Sequence, residues 1–127
     1  MDVPNDLRYS KDHEWIKANG DRRFTVGITD YAQDALGDVV FVDLPDVGAS
    51  VTIGDSIGEI ESTKSVSDVY APLTGTVVEV NSELLDAPEK VNADPYGDGW
   101  MFVVEVASDE NVEGLMDAAA YAALTEG

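Results

Sequence analysis

A lysine between two strand-like segments is the residue of this chain best placed for chemistry. Lys64 is one of four lysines in 127 residues, and its neighbours Ser62, Thr63 and Ser65 are small enough to leave its amine accessible. A primary amine presented in this way is suited to acylation by a modifying enzyme, which removes the charge and lengthens the side chain into a tether. The alternative is a solvated lysine that protects an exposed strand end from pairing.

Carboxylates near this lysine and near the single histidine are the other candidates for chemistry. Two of the carboxylates Glu59, Glu61 and Asp68 could form a pair for acid–base catalysis, or all three could be solvated strand positions with a role in recognition. His13 beside Glu14 could transfer protons, or it could be a structural histidine whose hydrogen bonds are satisfied. Because no nucleophile lies within reach in the sequence, we interpret His13 as structural and predict that the chain is not an enzyme.

The residue types that are missing limit the chemistry further. The chain has no cysteine, and therefore no disulfide, thiol nucleophile or thiolate metal site. One histidine cannot build a histidine-based metal site, and the aspartates near the loop at 94–99 lack the spacing of a calcium loop. We predict no metal site, and we expect any redox chemistry to be carried by an attached group.

The charge balance is strongly acidic, with 26 acidic against 7 basic residues and a net charge of −19. With 44% hydrophobic residues the chain has enough apolar surface to fold. The acidity suggests a surface adapted to high salt, in which screening makes self-repulsion tolerable, and a halophilic archaeal source. Attraction to a basic partner is the alternative. Nucleic acid is disfavoured as a partner because no Lys/Arg patch exists.

Segments that would direct the chain to a membrane or an organelle are not apparent. The first residues are acidic and lack the basic and apolar regions of a signal peptide, and they are unlike a transit peptide. No apolar run approaches the ~18 residues that cross a bilayer. We expect a cytoplasmic protein with no membrane partner.

The elements that must position Lys64 are mainly short strands. Alternation with a period near two predicts a hairpin at about 56–72, and Asn19-Gly20-Asp21 predicts the turn of an earlier hairpin. Thr29 or Asp30 is expected to cap a short helix that stops at Gly37. Further strands are expected at 23–28, 38–44, 51–53, 74–80 and 100–106, short helical pieces at 82–93 and after Ser108, and a C-terminal helix at about 117–124. This pattern indicates one domain at 1–127, a β-sandwich or flattened barrel with small helical additions.

The sequence around Lys64 resembles the lipoyl-attachment region of glycine cleavage system H proteins. The resemblance continues along nearly the whole chain, from about residue 7 to 124. Its segments are Tyr9, His13-Glu14-Trp15, 27–37, 38–45, 61–72, 75–81, Val91-Asn92, 94–100 and 115–121. It implies a flattened β barrel-sandwich hybrid of the lipoyl/biotinyl type with the lysine on a hairpin.

The resemblance also implies a carrier rather than a self-sufficient enzyme. In that family the lysine that matches Lys64 bears lipoic acid as an amide. The arm accepts an aminomethyl group from the pyridoxal-phosphate glycine decarboxylase (P-protein) and delivers it to the tetrahydrofolate-dependent aminomethyltransferase (T-protein). Dihydrolipoamide dehydrogenase (L-protein) then reoxidises the arm, and a lipoate-attaching enzyme is a further expected partner. An imported dithiol agrees with a chain that has no cysteine.

The family's loaded arm folds back into a polar surface cleft, and the resemblance places Glu14 and Asp68 there. Either carboxylate could pair with the cationic amine and shield it from water. Asp12 stands where the family commonly has serine or threonine, and is a further possible contact. Thr63 and Ser65 replace the more usual valine and alanine beside the lysine; both are short, so we expect the attaching enzyme to recognise the site.

Two other functions compete with this interpretation. A lipoyl or biotinyl domain of an acyl-transfer or carboxylase complex would also carry a modified lysine, but biotinyl domains usually have methionine beside it, which Thr63 and Ser65 do not match. An H-like protein retained as a lipoate donor or docking platform in lipoate metabolism is the second alternative. The residues by themselves leave it open.

Overall fold

The computed structural model describes residues 3–107 and 114–126. Its strands in chain order are β1 Arg8–Tyr9, β2 Glu14–Gly20, β3 Arg23–Ile28, β4 Val39–Asp43, β5 Ser50–Val51, β6 Ser56–Ser62, β7 Val66–Tyr70, β8 Gly75–Val80 and β9 Phe102–Glu105. The helices are α1 Asp30–Leu36, α2 Glu83–Asp86, α3 Lys90–Ala93 and α4 Ala118–Glu126. One sheet has six strands in the order β1-β2-β3-β9-β8-β5, and the other has three in the order β4-β6-β7. The predicted mainly β, flattened barrel-sandwich fold with short helices is confirmed.

The main hydrophobic core draws on both sheets, because each sheet contributes buried apolar side chains. From the six-stranded sheet come Val26, Phe102 and Val104, all fully buried, and from the three-stranded sheet come Val42 and Ile60. Burying each such side chain contributes about 1.5–3 kcal/mol. The hairpin that carries Lys64 is therefore anchored to the body of the protein by the inner face of its own strands.

A second, smaller core joins the C-terminal helix to the first strands. It consists of Leu7, Tyr9, Trp15, Ala118 and Tyr121. The rings of Tyr9 and Tyr121 stack with their centroids 4.7 Å apart. Such a pair is worth about 0.5–1.5 kcal/mol beyond the area it buries, so helix α4 is held against β1 and β2.

Helix α1 begins and ends where the sequence predicts. Thr29 is its N-cap, and the Thr29 hydroxyl accepts a hydrogen bond from the Ala32 amide at 3.2 Å. Gly37 is the C-cap, with φ +82° and ψ −158°. This conformation is essentially restricted to glycine, so the helix has a sharp end directly before β4.

The hairpin turn predicted at Asn19-Gly20-Asp21 overlaps the observed turn only at Asp21. Gly20 pairs with Arg23, and the turn residues are Asp21 and Arg22, with φ of +54° and +59°. Both values fit a two-residue turn of the type that favours positive φ. The register shifts between Ala18 and Gly20, so Gly20, at φ +88°, serves a bulge rather than the turn.

Other predicted bounds need smaller corrections. Strand β5 ends at Val51 rather than 53, and β9 begins at Phe102 rather than 100, which leaves Trp100 half-buried against the second core instead of in the main one. The helical region 82–93 is divided into α2 and α3 on either side of Pro88. The helical turn expected after Ser108 lies outside the described residues.

Candidate functional site

Lys64 lies at the tip of the hairpin formed by β6 and β7, as the alternating pattern predicts. Glu61 pairs with Val66, and the Ser62 amide donates to the Ser65 carbonyl at 2.8 Å. The Ser62 hydroxyl accepts hydrogen bonds from the amides of Lys64 at 3.2 Å and Ser65 at 3.1 Å. The small residues around the lysine thus form the turn itself, and they do so with main-chain and hydroxyl hydrogen bonds.

The amine of Lys64 is exposed and uncommitted. The ion pairs found within residues 3–107 and 114–126 are Arg23–Glu105 and Lys90–Glu83, and neither involves Lys64. The tip is fixed from the other side, because the Thr63 amide donates to the Asp38 carbonyl at 3.0 Å. The exposed amine of Lys64 is therefore carried by a well-held main chain.

A cleft of about 320 Å³ begins beside this tip. Its walls are residues 65–69, which include most of β7, one side of helix α1, and residues 12–14 before and at the start of β2, together with Ile28 and Ile60. The polar and ionisable residues that line it are Asp12, His13, Glu14, Tyr31, Ser65, Ser67 and Asp68. The structure thus brings together the three carboxylates that the family resemblance assigns to an arm cleft, although they are up to 56 positions apart in sequence.

Glu14 is the most unusual of these residues, because its side chain is 2% exposed. One carboxyl oxygen accepts from the Ser10 hydroxyl at 3.0 Å, and the other from the Tyr70 amide at 2.8 Å. Burial raises the pKa of Glu14 from 4.5 to about 8, against the opposing effect of these two hydrogen bonds. At neutral pH the free cleft therefore holds a mainly protonated carboxyl group, which a cation would convert to the carboxylate.

His13 forms part of the cleft wall, which sequence reasoning missed. Its main chain has φ +66°, its Nδ1 lies 2.8 Å from the Tyr121 hydroxyl, and its ring packs on Tyr31 at 4.7 Å between centroids. Burial lowers the pKa of His13, with Asp12 acting in the opposite direction. A neutral histidine does not repel a cation in the cleft. The structural role expected for His13 agrees with its bond to Tyr121.

Asp68 and Asp12 are exposed on the rim of the cleft. The Asp68 carboxylate raises the pKa of the Tyr70 hydroxyl, which lies 3.4 Å from it. Glu59 pairs with Asp68 across the hairpin, yet neither Glu59 nor Glu61 lines the cleft. The acid–base alternative for these two glutamates therefore has no geometric support, and they occupy strand positions of the three-stranded sheet.

Metal-binding clusters and membrane-spanning helices are both absent from residues 3–107 and 114–126. These residues contain no group of three or more His, Cys, Asp or Glu side chains arranged to hold a metal ion. Within the same ranges no helix is long and apolar enough to cross a membrane.

Known proteins of one family are similar to this chain along nearly its whole length. The family described as "Glycine cleavage H-protein" matches residues 7–127. Among curated proteins, a glycine cleavage system H protein of Beutenbergia cavernae is 60% identical over 127 residues, which is 100% of this chain and 99% of the relative. One of an Enterobacter species is 56% identical over 124 residues, 98% of this chain and 96% of the relative. These relatives are bacterial and give no support to an archaeal source, and adaptation to high salt stays a prediction.

A solved structure is similar over the same length. The crystal structure of a glycine cleavage system H protein from Mycobacterium marinum has a TM-score of 0.87 and 44% identity, and it covers 98% of this chain and 100% of that one. The fold, the cleft beside Lys64 and these similarities lead to one conclusion: the chain belongs to the glycine cleavage H-protein family.

Proposed function

We propose that this chain is the lipoyl carrier of a glycine cleavage system and that Lys64 is its attachment residue. The observation that carries the proposal is the free amine of Lys64 on a well-held hairpin tip, directly beside a cleft that contains Glu14. The chain acts as a carrier and not as a catalyst. Its own residues present a tether and receive what the tether carries.

The residues present fit a lipoyl group. The amine of Lys64 is exposed and free to form an amide, and the cleft volume of about 320 Å³ lies at the low end of the range for small-molecule sites. Ile28, Ile60 and Val69 add apolar surface to the polar groups of the cleft. When bound, the group supplies a dithiol that carries an aminomethyl unit and is afterwards reoxidised.

The carboxyl groups of the cleft are arranged to receive a cation. Glu14 is held in place by Ser10 and Tyr70, so it is oriented before anything enters. Pairing with an ammonium group would lower its pKa and release its proton, and the pair would be strong because it is buried and hydrogen-bonded. Asp68 and Asp12 on the rim add negative charge near the entrance, and the buried position of Glu14 excludes water.

The proposed partners are the P-, T- and L-proteins of the glycine cleavage system and an enzyme that attaches lipoate, and the proposed location is the cytoplasm. The family supports a partnership with a glycine cleavage system. The net charge of −19 favours partners with basic docking surfaces. A single domain is proposed as well, since both cores share strands of the six-stranded sheet; one cooperative unfolding transition is expected in calorimetry.

The first test is the intact mass of the protein made in a host that lipoylates. We expect a gain on the order of 190 Da for one lipoyl amide, located on Lys64 by peptide mapping. A protein that stays unmodified in a host whose own lipoyl proteins are modified would contradict the proposal.

The second test separates a glycine cleavage carrier from a lipoate donor or docking protein. Only the former supports exchange of labelled bicarbonate into the carboxyl group of glycine when P-protein is added. We expect exchange that depends on the lipoylated chain. A lipoylated chain that supports none would favour the role in lipoate metabolism.

A further inference from the structure

The side chain of Lys64 lies against the main chain of Gly37, the residue that ends helix α1. A methyl group placed on Gly37 would lie 2.9 Å from Cε of Lys64 and 3.7 Å from its Nζ. Carbon atoms of separate residues do not normally approach to 2.9 Å. The stem of the lysine therefore occupies space that exists because residue 37 has no side chain.

The main chain of Gly37 is held in place from below by Asn92, in helix α3. The Asn92 Nδ2 donates to the Gly37 carbonyl at 2.8 Å and to Gln33 Oε1 at 3.0 Å. The Asn92 Oδ1 accepts from the Val39 amide at 2.8 Å. One side chain thus ties the end of α1 to the start of β4, and the surface on which Lys64 lies is as fixed as the hairpin tip.

The position of Gly37 gives the lysine stem a direction. Tyr31, Ala32, Ala35 and Leu36 of helix α1 line the cleft that contains Glu14, and Gly37 follows them directly. A stem that rests on Gly37 lies at the end of the helix that forms one cleft wall. Since the amine is the point from which an attached group continues, its placement decides how that group approaches the cleft.

We propose that Gly37, supported by Asn92, is a positioning residue that holds the attachment lysine at the mouth of the cleft. The contact between Gly37 and the lysine stem is a property of the unmodified chain. Its value for transfer rests on the function proposed above, in which Lys64 carries the group that enters the cleft. Gly37 does not touch the reacting atoms; it acts through the lysine.

Gly37→Ala tests the proposal, with Gly48→Ala as its matched control. Both glycines have positive φ, +82° and +93°, but nothing lies within 4 Å of a methyl group on Gly48. Alanine therefore strains the main chain at both positions and meets the lysine at one. Because the end of a lysine is flexible, the methyl group of Gly37→Ala should displace the stem rather than distort the tip.

The first readout uses the unmodified chain. In the unmutated protein and in Gly48→Ala, NMR should show a nuclear Overhauser contact between the Gly37 α-protons and the Lys64 ε-methylene, and slower ε-methylene motion than at exposed Lys17. In Gly37→Ala we expect Lys64 to become as mobile as Lys17. Equal mobility of the two lysines in the unmutated protein would overturn the proposal, whether or not Lys64 is ever lipoylated.

The second readout uses the lipoylated chain with glycine decarboxylase. For Gly37→Ala we expect kcat to fall by about tenfold, less than the hundredfold of a full 1 Å misplacement, with KM for the carrier unchanged because the docking surface is intact. Gly48→Ala should retain the original kcat. If Gly37→Ala loses the NMR contact but keeps its kcat, the positioning role is excluded.

If the Gly37→Ala protein does not fold, Asn92→Ala replaces it. The same two readouts apply, and smaller effects are expected. Unchanged mobility of Lys64 in Asn92→Ala would count against the proposal.

Discussion

The hairpin tip and the wall of the cleft that contains Glu14 differ in how far their ionisable groups are exposed to water. At the tip, Lys64 is exposed to water, while the turn is held by main-chain hydrogen bonds and by the Ser62 hydroxyl, which accepts from the Lys64 amide. In the wall, the charge-bearing group is buried, both of its oxygens accept hydrogen bonds, and its pKa rises to about 8. The tip adjoins the cleft through Ser65, and Glu14 lines the same cleft.

The contrast follows from what each site is proposed to do. An attachment residue needs access and position, which a short turn supplies at little cost to the protein. A receiving site for a cation needs a group whose ionised form the cation stabilises. This stabilisation is largest for a buried carboxyl group, because its ionisation without a partner is unfavourable. Changes at the tip should therefore affect function with little effect on stability, and changes in the wall should affect both.

The largest expected effect is that of Lys64→Arg on modification. Arginine keeps the charge but offers no amine for acylation, so we expect no mass gain at all, while the free energy of unfolding changes by less than about 0.5 kcal/mol because the side chain is exposed. Mass spectrometry and urea unfolding measure the two. Lys17→Arg, at another exposed lysine, should be modified as before. An acylated Lys64→Arg protein would place the attachment elsewhere.

Glu14→Gln should change the pH dependence of stability. The raised pKa means that the folded protein binds more protons than the unfolded chain between pH 4.5 and about 8, so stability from this group falls as pH rises through that window. A shift of this size corresponds to about 3–5 kcal/mol for a buried group. Glutamine cannot ionise, so its stability relative to the unmutated protein should rise between these pH values and level off above pH 8.

Unfolding by urea at several pH values measures this difference. His13 contributes with the opposite sign, because its lowered pKa makes stability fall as pH decreases below its ordinary value of 6.5. Subtracting the two curves removes this term, since His13 is present in both proteins. A flat difference curve between pH 5 and 8 would show that Glu14 titrates normally, and the proposed contrast with the tip would be lost.

Tyr121→Phe is expected to lower stability by removing hydrogen bonds that support the cleft wall. The Tyr121 hydroxyl lies 2.7 Å from Thr29 Oγ1 and 2.8 Å from His13 Nδ1, and phenylalanine retains the stack on Tyr9. Losing these bonds inside the protein should cost about 1–3 kcal/mol and shift the NMR signals of the His13 ring. Tyr31→Phe, whose ring is 37% exposed, is the control, and equal losses for both variants would argue against a specific role for Tyr121.

The smallest effect is expected for Ser62→Ala, because the tip is exposed. Removing the hydroxyl that caps the amides of Lys64 and Ser65 should lower stability by about 0.5–1.5 kcal/mol, measured by thermal unfolding. Ser67→Ala, which loses one weak bond of 3.5 Å to the Asp68 carbonyl, should be nearly neutral. A loss at Ser62 larger than that of Tyr121→Phe would mean that the Ser62 hydroxyl stabilises more than the turn itself.

Much of the local structure follows from sequence because its causes are local. Period-two alternation locates the hairpin strands, and Thr29 and Gly37 mark the two ends of helix α1 through their own side-chain and backbone properties. The turn after β2 was misplaced because Asn19-Gly20 is a strong turn signal that the bulge between Ala18 and Gly20 overrides. The end of a helix is set by one capping residue, whereas the position of this turn is set by the register between two strands.

By itself, the sequence determined that the chain has no thiol of its own, since it has no cysteine, and that Lys64 stands among small residues. The family resemblance singled out Glu14, Asp68 and Asp12. Only the tertiary structure decided that Glu14 is buried with a raised pKa, that His13 joins the cleft wall, and that Lys64 rests on Gly37. The physical reason is that burial and contact depend on segments far apart in the chain, whereas residue type and alternation are properties of neighbours.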